Sequence, residues 1–336
     1  MYKNIFQVLS FLTICAVLTW PVGAQEQGAA AKPDSAEVRA QIDKAKTIAG
    51  TFWAPEEKFL CEDSRTFDGR STVPADPGPV KLFDNLYAIP GQYSVQSGVV
   101  YVIPTSAGIM LIDAGKRKDV EPVVLAGLKT LGFDPANVKL VVVTHGHEDH
   151  YGGATLLQER YGAHVVLSAA DWDFISKPPA APRADAPALP PPPKRDMVAV
   201  EGQPITLGDE SVTPVLIPGH TPGSLGLIFS VKDGGKTHVV GLFGGGFIIW
   251  RQYNDQTGAQ FVSSVQHFEQ WTKKMKVDVE LENHPGTWDG FPEKLAAVQA
   301  RKPGQPNPFI VGQQNYTKFL DVMSICAQAA LDRRKD

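Results

Sequence analysis

Apolar residues recur with two different spacings along the chain, and each spacing predicts one kind of element. Segments 81–89, KLFDNLYAI, and 99–115, VVYVIPTSAGIMLIDAG, are short apolar runs separated by turn residues, which predicts consecutive hairpins. Segment 120–133, VEPVVLAGLKTLGF, has helical spacing, and KLVVVTH at 139–145 is typical of a fully buried strand. This order of strands and helices predicts a layered α/β domain.

The regions on either side of this pattern predict a helix and a loop. Asp34 and Glu37 have capping-box spacing at the start of a helix that Gly50 ends. Segment 177–196, KPPAAPRADAPALPPPPKRD, is so dense in proline that it must be a loop. It is either a stiff surface connector or a flap above a binding cleft.

The first 24 residues have the pattern of a secretory signal peptide. A lysine precedes an apolar stretch that is too short to span a membrane, and small residues follow it up to Ala24. We therefore predict three parts: a signal peptide at 1–24, a leader and helix at 25–79, and the main domain at 80–336. Cleavage would leave a periplasmic or secreted protein with no membrane segment.

Two cysteines, Cys61 and Cys326, remain after cleavage. Because export leads to an oxidising compartment, we predict a disulfide between them, with two buried free thiols as the alternative. The net charge of −4 provides no basic surface for nucleic acid or an anionic membrane. The expected partner is a small-molecule substrate.

The segment THGHEDH at 144–150 crowds ionisable side chains at the end of the buried strand. Residues two apart on an extended chain face the same way, so His145 and His147 can converge on one ion. Asp149 and His150 can face a second ion if the chain turns there, which Gly146 permits. Imidazoles and a carboxylate at this density suit zinc.

Two later histidines complete the candidate ligand set. His220 in VLIPGHTPGS and His284 in VDVELENHPG each follow an apolar run, so each can stand at a strand end beside the first loop. The other three histidines, His164, His238 and His267, lie inside predicted strands or helices, and we interpret them as structural.

These motifs, THGHEDH, PGHTPGS, NHPG and LIDAG, resemble those of the metallo-β-lactamase superfamily. The resemblance covers roughly residues 80 to 290. It implies a four-layer αβ/βα sandwich with two mixed β-sheets. It also implies two Zn²⁺ ions per chain, with Asp113 supporting the metal loop. The implied ligands of the first zinc are His145, His147 and His220, and those of the second are Asp149, His150 and His284.

The segment after HVVGLF departs from several branches of this superfamily. Glyoxalase, phosphodiesterase and many lactonase members have a metal-bridging aspartate there, and other β-lactamase subclasses have a cysteine, whereas this chain has Gly244, Gly245 and Gly246. The ligand set is similar to that of subclass B3. B3 enzymes often use serines in this region for the substrate carboxylate, so Trp250, Arg251 or Tyr253 is left as a candidate substrate contact.

The resemblance implies an exported zinc-dependent hydrolase that opens a β-lactam-type amide. A zinc-bound hydroxide would attack the carbonyl, and Asp149 would orient it. The alternative is a lactonase or another ester or amide hydrolase with the same metal site. Less favoured are a mononuclear iron dioxygenase and a non-catalytic zinc-binding protein.

Overall fold

The predicted strands form two facing sheets in a computed structural model of the protein. The structure describes residues 33–65, 78–91, 98–177, 191–246, 253–284 and 290–335, and Asp34–Asp336 form one compact unit. The predicted signal peptide lies outside the described residues, and the boundary at residue 79 stays a prediction. The described strands are β1 (Val80–Phe83), β2 (Leu86–Ile89), β3 (Val100–Thr105), β4 (Gly108–Ile112), β5 (Val138–Val142), β6 (His164–Ser168), β7 (Met197–Ala199), β8 (Ile205–Leu207), β9 (Glu210–Leu216), β10 (Leu225–Asp233), β11 (Lys236–Phe243) and β12 (Val279–Leu281).

Both sheets are mixed, as predicted. The first has the order β1-β2-β3-β4-β5-β6-β7, in which β1 to β4 are antiparallel and β4 to β7 are parallel. The second has the order β12-β11-β10-β9-β8, with one parallel pair, β11 and β12. Both predicted hairpins are present, with turns at Asp84-Asn85 and between Thr105 and Gly108.

Helices cover the outer face of each sheet, which gives the predicted four layers. One core lies between the sheets and includes Met110 and Leu242. A second core packs helices on the first sheet, and a third packs helices on the second. The described α-helices are α1 (Ala36–Ala49), α2 (Ala54–Cys61), α3 (Ala126–Thr130), α4 (Glu148–Tyr151), α5 (Ala154–Tyr161), α6 (Ala169–Ile175), α7 (Asp255–Met275), α8 (Phe291–Ala300) and α9 (Gln313–Arg333).

The strand directions bring all the candidate ligands to one edge of the sandwich. The parallel strands β4 and β5 end there, and so do β11 and β12. The connection from β9 to β10 turns at the same edge, because β10 is antiparallel to β11. Two backbone hydrogen bonds join the sheets at this edge, from Leu225 N–H to Thr144 O (2.8 Å) and from Val99 N–H to Asn283 O (2.7 Å).

The helix termini agree with the sequence at one end of α1 and differ at the other. Gly50 ends the helix with a positive φ of 56°, as predicted. The N-cap is Ser35 rather than Asp34, because the Asp34 carboxylate instead pairs with Arg333 at the end of α9. The predicted helix at 120–133 begins with π-helical turns at Val120–Leu125 and continues as α3.

The predicted disulfide between Cys61 and Cys326 is confirmed, and it joins α2 to α9. Most of the proline-rich segment, residues 178–190, lies outside the described residues. Its last part is fastened to α5, since Thr155 donates a hydrogen bond to Pro191 O (2.8 Å) and Gln158 bonds twice with Lys194.

Candidate metal centre

His145, His147 and His220 form the first cluster. His220 Nε2 lies 3.2 Å from His145 Nε2 and 3.0 Å from His147 Nδ1. His145 and His147 come from the loop after β5, and His220 comes from the turn before β10. The structure therefore brings together, from both sheets, the three side chains that the resemblance assigns to one ion.

Asp149, His150 and His284 form the second cluster. The Nε2 atoms of His150 and His284 are 3.1 Å apart, and Asp149 Oδ2 lies 3.5 Å from the first and 3.7 Å from the second. The ring centroids of His145 and His150 are 3.9 Å apart, so the two clusters adjoin. Asp149 is the most solvent-accessible member of this cluster, with 18% of its side chain exposed.

The donor atoms of both clusters have a spacing that fits zinc. A tetrahedral ion with ligands at about 2.0–2.1 Å holds its donors roughly 3.3 Å apart. The separations given above, from 3.0 to 3.7 Å, bracket that value. The donor types, imidazole nitrogens and a carboxylate oxygen, and their spacing therefore fit a zinc ion at each cluster.

The protonation of the histidines favours metal binding at the first cluster. Burial, together with the neighbouring imidazoles, holds the pKa of His145 well below its usual value. Burial also lowers the pKa of His147, against the opposing effect of Asp149. Both imidazoles are therefore neutral at physiological pH and have a lone pair to offer.

Carboxylates and imidazoles shift one another's pKa values at the second cluster. Burial lowers the pKa of His150, but Asp149 and Asp113 more than offset it, so the net pKa is raised. Burial raises the pKa of Asp149, but His150, His284 and His147 more than offset it, so Asp149 is held ionised. The second cluster thus combines a negative carboxylate with two imidazoles.

Asp113 lies directly behind the second cluster. Its Oδ2 is 2.7 Å from His150 Nδ1, and its Oδ1 accepts a hydrogen bond from the Thr144 backbone (2.7 Å). This contact assigns the Nδ1 proton to the Asp113 side, so that His150 Nε2 faces the cluster. Asp113 is fully buried and has a φ of 64°, a conformation that residues other than glycine adopt rarely. Its geometry is the one that support of the metal loop requires.

Asn283 is a site residue that the sequence reasoning missed. Its Nδ2 donates to Asp113 Oδ2 (2.9 Å) and to Thr144 Oγ1 (3.0 Å), and its Oδ1 accepts from the Gly245 backbone (3.1 Å). It therefore connects strand ends of both sheets while it precedes the ligand His284. The only signal in the sequence is an amide next to a candidate ligand at a strand end.

Glu148 points away from both clusters, although it belongs to the same ligand-rich loop. Its Oε1 accepts a hydrogen bond from the Arg117 backbone (3.0 Å). The three histidines interpreted as structural each pair with a carboxylate elsewhere: His164 with Asp196, His238 with Asp278 and His267 with Glu201.

The glycines after β11 have a steric reason. A Cβ atom on Gly245 would overlap the His220 ring, and one on Gly244 would overlap Leu225 O. Gly245 also has a φ of 76°, which a side chain disfavours. A serine at either position would displace the first cluster or the backbone beside it, so a B3-type serine cannot stand there without rearrangement.

Of the three candidate substrate contacts, only Tyr253 is among the described residues; Trp250 and Arg251 lie outside them. The Tyr253 hydroxyl donates to His220 O (2.6 Å), and its ring stacks on the imidazole with centroids 6.3 Å apart. Tyr253 therefore holds the His220 turn with its hydroxyl.

Comparisons with known proteins bear on the family of this chain. A family model described as the metallo-β-lactamase superfamily matches residues 93–235. BJP-1, a subclass B3 metallo-β-lactamase of Bradyrhizobium japonicum, is 30% identical, over 79% of this chain and 94% of its own, with a TM-score of 0.62. The chain belongs to the metallo-β-lactamase superfamily. Within that superfamily it is similar to the subclass B3 member BJP-1.

Two further relatives differ in what they indicate. FEZ-1 of Legionella gormanii, a metallo-β-lactamase, shares the fold with a TM-score of 0.63 at 24% identity, over 79% of this chain and 97% of its own. A hydroxyacylglutathione hydrolase of Acidiphilium cryptum is 37% identical over 89 residues, which are 26% of this chain and 30% of the relative. The matched segments span about a third of the length of such curated relatives.

Proposed function

We propose that the protein is an exported, zinc-dependent hydrolase that opens β-lactam amides and holds two ions per chain. The observation that carries the proposal is the pair of adjoining three-donor clusters, together with glycines where other branches have an aspartate or a cysteine. Likeness to BJP-1 over most of both chains supports the B3-like reading.

His145, His147 and His220 would hold one ion, and Asp149, His150 and His284 the other. When bound, a zinc pair supplies Lewis acidity and lowers the pKa of water to near neutrality. The protein keeps the donor atoms in place: Asp113 fixes the His150 ring, and Thr144 Oγ1 lies 3.0 Å from His145 Nδ1, which leaves His145 Nε2 facing the cluster.

Asp149 is the residue to which we assign the catalytic role. Its carboxylate is ionised and partly exposed, so it can accept a hydrogen bond from the attacking water and orient it toward the substrate carbonyl. In a β-lactam the leaving group is the ring nitrogen, which must gain a proton after the C–N bond breaks. The attacking water gives its OH to the carbonyl carbon, and its other proton can pass by way of the Asp149 carboxylate to the ring nitrogen.

Export is supported by the signal-type pattern at residues 1–24 and by the Cys61–Cys326 disulfide, since disulfides persist in oxidising compartments. Within the described ranges, no helix is long and apolar enough to cross a membrane. We propose a small-molecule substrate as the partner; the net charge of −4 favours neither nucleic acid nor an anionic membrane surface.

The second candidate function is hydrolysis of a thioester, lactone or other small ester. It is favoured by local identity to hydroxyacylglutathione hydrolases. Against it stand Gly244 to Gly246, where the family resemblance implies a bridging aspartate for the glyoxalase branch.

The deciding experiment is a hydrolysis panel with zinc-loaded and chelator-treated protein. The substrates are a cephalosporin, a carbapenem, an acyl lactone and an S-acyl glutathione. We expect the β-lactams to give the highest kcat/KM and chelation to abolish it. Preference for the thioester or lactone would select the second candidate.

Metal analysis of the same sample tests the metal assignment. Two zinc ions per chain are expected. A single iron would indicate a dioxygenase of this fold, and a single zinc with no turnover would indicate a non-catalytic protein. Activity that survives complete metal removal would overturn both hydrolase proposals.

A further inference from the structure

We propose that Asp171 is a positioning residue that sets the geometry of the first cluster by tying together the two loops that carry it. This inference rests on the proposed metal centre. Asp171 lies in the first turn of α6 and is 1% exposed. Its Oδ2 accepts hydrogen bonds from the Gly146 backbone (2.7 Å) and the Thr221 hydroxyl (2.7 Å), and its Oδ1 accepts one from the Gly223 backbone (2.8 Å).

These three donors adjoin all three ligands of the first cluster. Gly146 stands between His145 and His147, and Thr221 follows His220. The first loop leaves the first sheet and the second loop enters the second sheet, so one carboxylate bridges the two sheets behind the cluster. The described contacts of Asp171 include no residue of the second cluster, which is supported instead by Asp113 and Asn283.

The bridge requires an acceptor with two oxygens. All three bonded groups are neutral donors, and no described hydrogen bond or ion pair joins Asp171 to a cation. Burial raises the pKa of its carboxyl to about 6, although the three hydrogen bonds lower it. An asparagine would direct an N–H group at one of the donors and break a bond. A buried carboxylate without a cation is costly, so its presence indicates that the acceptor geometry matters.

The surrounding packing leaves little freedom for the loops to shift. A Cβ atom on Gly223 would overlap Ser168 Oγ and lie 2.6 Å from the Asp171 nitrogen. A Cβ atom on Gly146 would lie 2.8 Å from the Phe174 ring. Both loops therefore touch α6 through glycines, and Asp171 sets how closely they approach.

The test is metal titration in two backgrounds, read by cobalt absorption without any substrate. In His284→Ala protein only the first cluster is complete, and in His220→Ala protein only the second is complete. We expect Asp171→Asn to weaken Co²⁺ binding roughly 10- to 100-fold in the first background and less than about threefold in the second. Equal losses in both backgrounds, or none in the first, would overturn the inference.

Matched variants guard against a simple folding defect. Asp173 lies on the same helix and forms an exposed ion pair with Arg195. Asp173→Asn should therefore leave the Co²⁺ affinity unchanged in both backgrounds. Thr221→Val removes one of the three hydrogen-bond donors and should weaken Co²⁺ binding at the first cluster about 3- to 10-fold. Thr221→Ser keeps the hydroxyl and should bind Co²⁺ as tightly as the unsubstituted residue does. If Asp171→Asn does not fold, this pair decides, and equal affinities of the valine and serine variants would overturn the inference.

The titration also separates this inference from the proposed function. Substrate preference does not enter the measurement, so failure of β-lactam hydrolysis leaves the result intact. If the wild-type protein binds a single ion, the dizinc proposal fails, while Asp171→Asn must still weaken binding at the first cluster for the inference to stand.

Discussion

The loop edge that carries the metal centre and the layer formed by α1, α2 and α9 differ in what they bury: polar side chains at the first, mostly apolar side chains in the second. At the loop edge, buried imidazoles, carboxylates and amides pack against one another and bond mainly among themselves. In the terminal-helix layer, as we call α1, α2 and α9, the buried side chains are mostly apolar and a disulfide crosses from α2 to α9.

The difference shows how one region of the fold can supply the folding free energy that a buried polar site does not. Burying polar groups contributes little net stability even when each is bonded, whereas apolar burial and a covalent link over 265 residues contribute much more. Trp53 illustrates the second region, since its ring packs 5.2 Å from Phe319 and its Nε1 donates to Asn315 O. We expect damage at the edge to appear in metal binding and damage to the helix layer to appear in stability.

The largest effect is expected from removing a ligand. His220→Ala and His284→Ala should each lower kcat/KM more than about 1,000-fold, which is more than about 4 kcal/mol of transition-state stabilisation, and each should lose one ion. Because the deleted group is a buried imidazole among other imidazoles, the metal-free protein should melt at nearly the same temperature. Steady-state kinetics, metal analysis and calorimetry check this.

The control is His238→Ala, which removes a half-buried histidine paired with Asp278 far from the centre. It should keep both ions and full turnover. A large loss of metal-free stability in either ligand variant would contradict the proposed division between the two regions.

The next effect concerns the disulfide. Replacing both Cys61 and Cys326 by alanine should lower the free energy of unfolding by about 4 kcal/mol, because the unfolded chain loses a very long cross-link. Metal content and kcat/KM should be unchanged below the melting temperature. Denaturant unfolding measures the loss, and reduced wild-type protein is the control, since it lacks the same cross-link. A parallel loss of metal would contradict the separation of the helix layer from the metal centre.

A smaller effect is expected at Asn283. Asn283→Ala removes the amide that links Asp113, Thr144 and Gly245, and should weaken metal binding about 10- to 100-fold. Asn307→Ala is the matched control: it is equally buried, at 3%, and its amide donates to Leu82 O and accepts from Phe309 N–H. Competition titration with a chelating dye should separate the two variants, and equal losses would make Asn283 a purely structural residue.

The smallest effect is expected at the Arg333–Asp34 ion pair, which joins the end of α9 to the start of α1. Arg333→Met should cost about 1 kcal/mol, because the pair is bidentate and mostly buried. Arg334→Met breaks a more exposed pair with Asp255 and should cost less. Thermal unfolding at low and high salt measures the stability loss of both variants, and the metal affinity should be unchanged in each.

Much of the fold follows from local patterns. Short-range rules were enough for the β1–β2 and β3–β4 hairpins, the buried strand β5 and the end of α1 at Gly50, since a turn or an apolar run is written in neighbouring residues. The predicted N-cap of α1 was wrong because a distant residue intervenes: the Asp34 carboxylate pairs with Arg333, 299 residues away. The ligands of one loop were predictable because His145 and His147 are two residues apart on an extended chain.

The sequence by itself determined the chemistry on offer: which side chains can bind a metal, that they stand at strand ends, and that two cysteines can pair. Only the tertiary structure decided that His220 and His284 reach the first loop, and that Asp171 and Asn283 join the two sheets behind it. The physical reason is that a hydrogen bond across two sheets depends on how the layers pack, and residues distant along the chain carry no local sign of it.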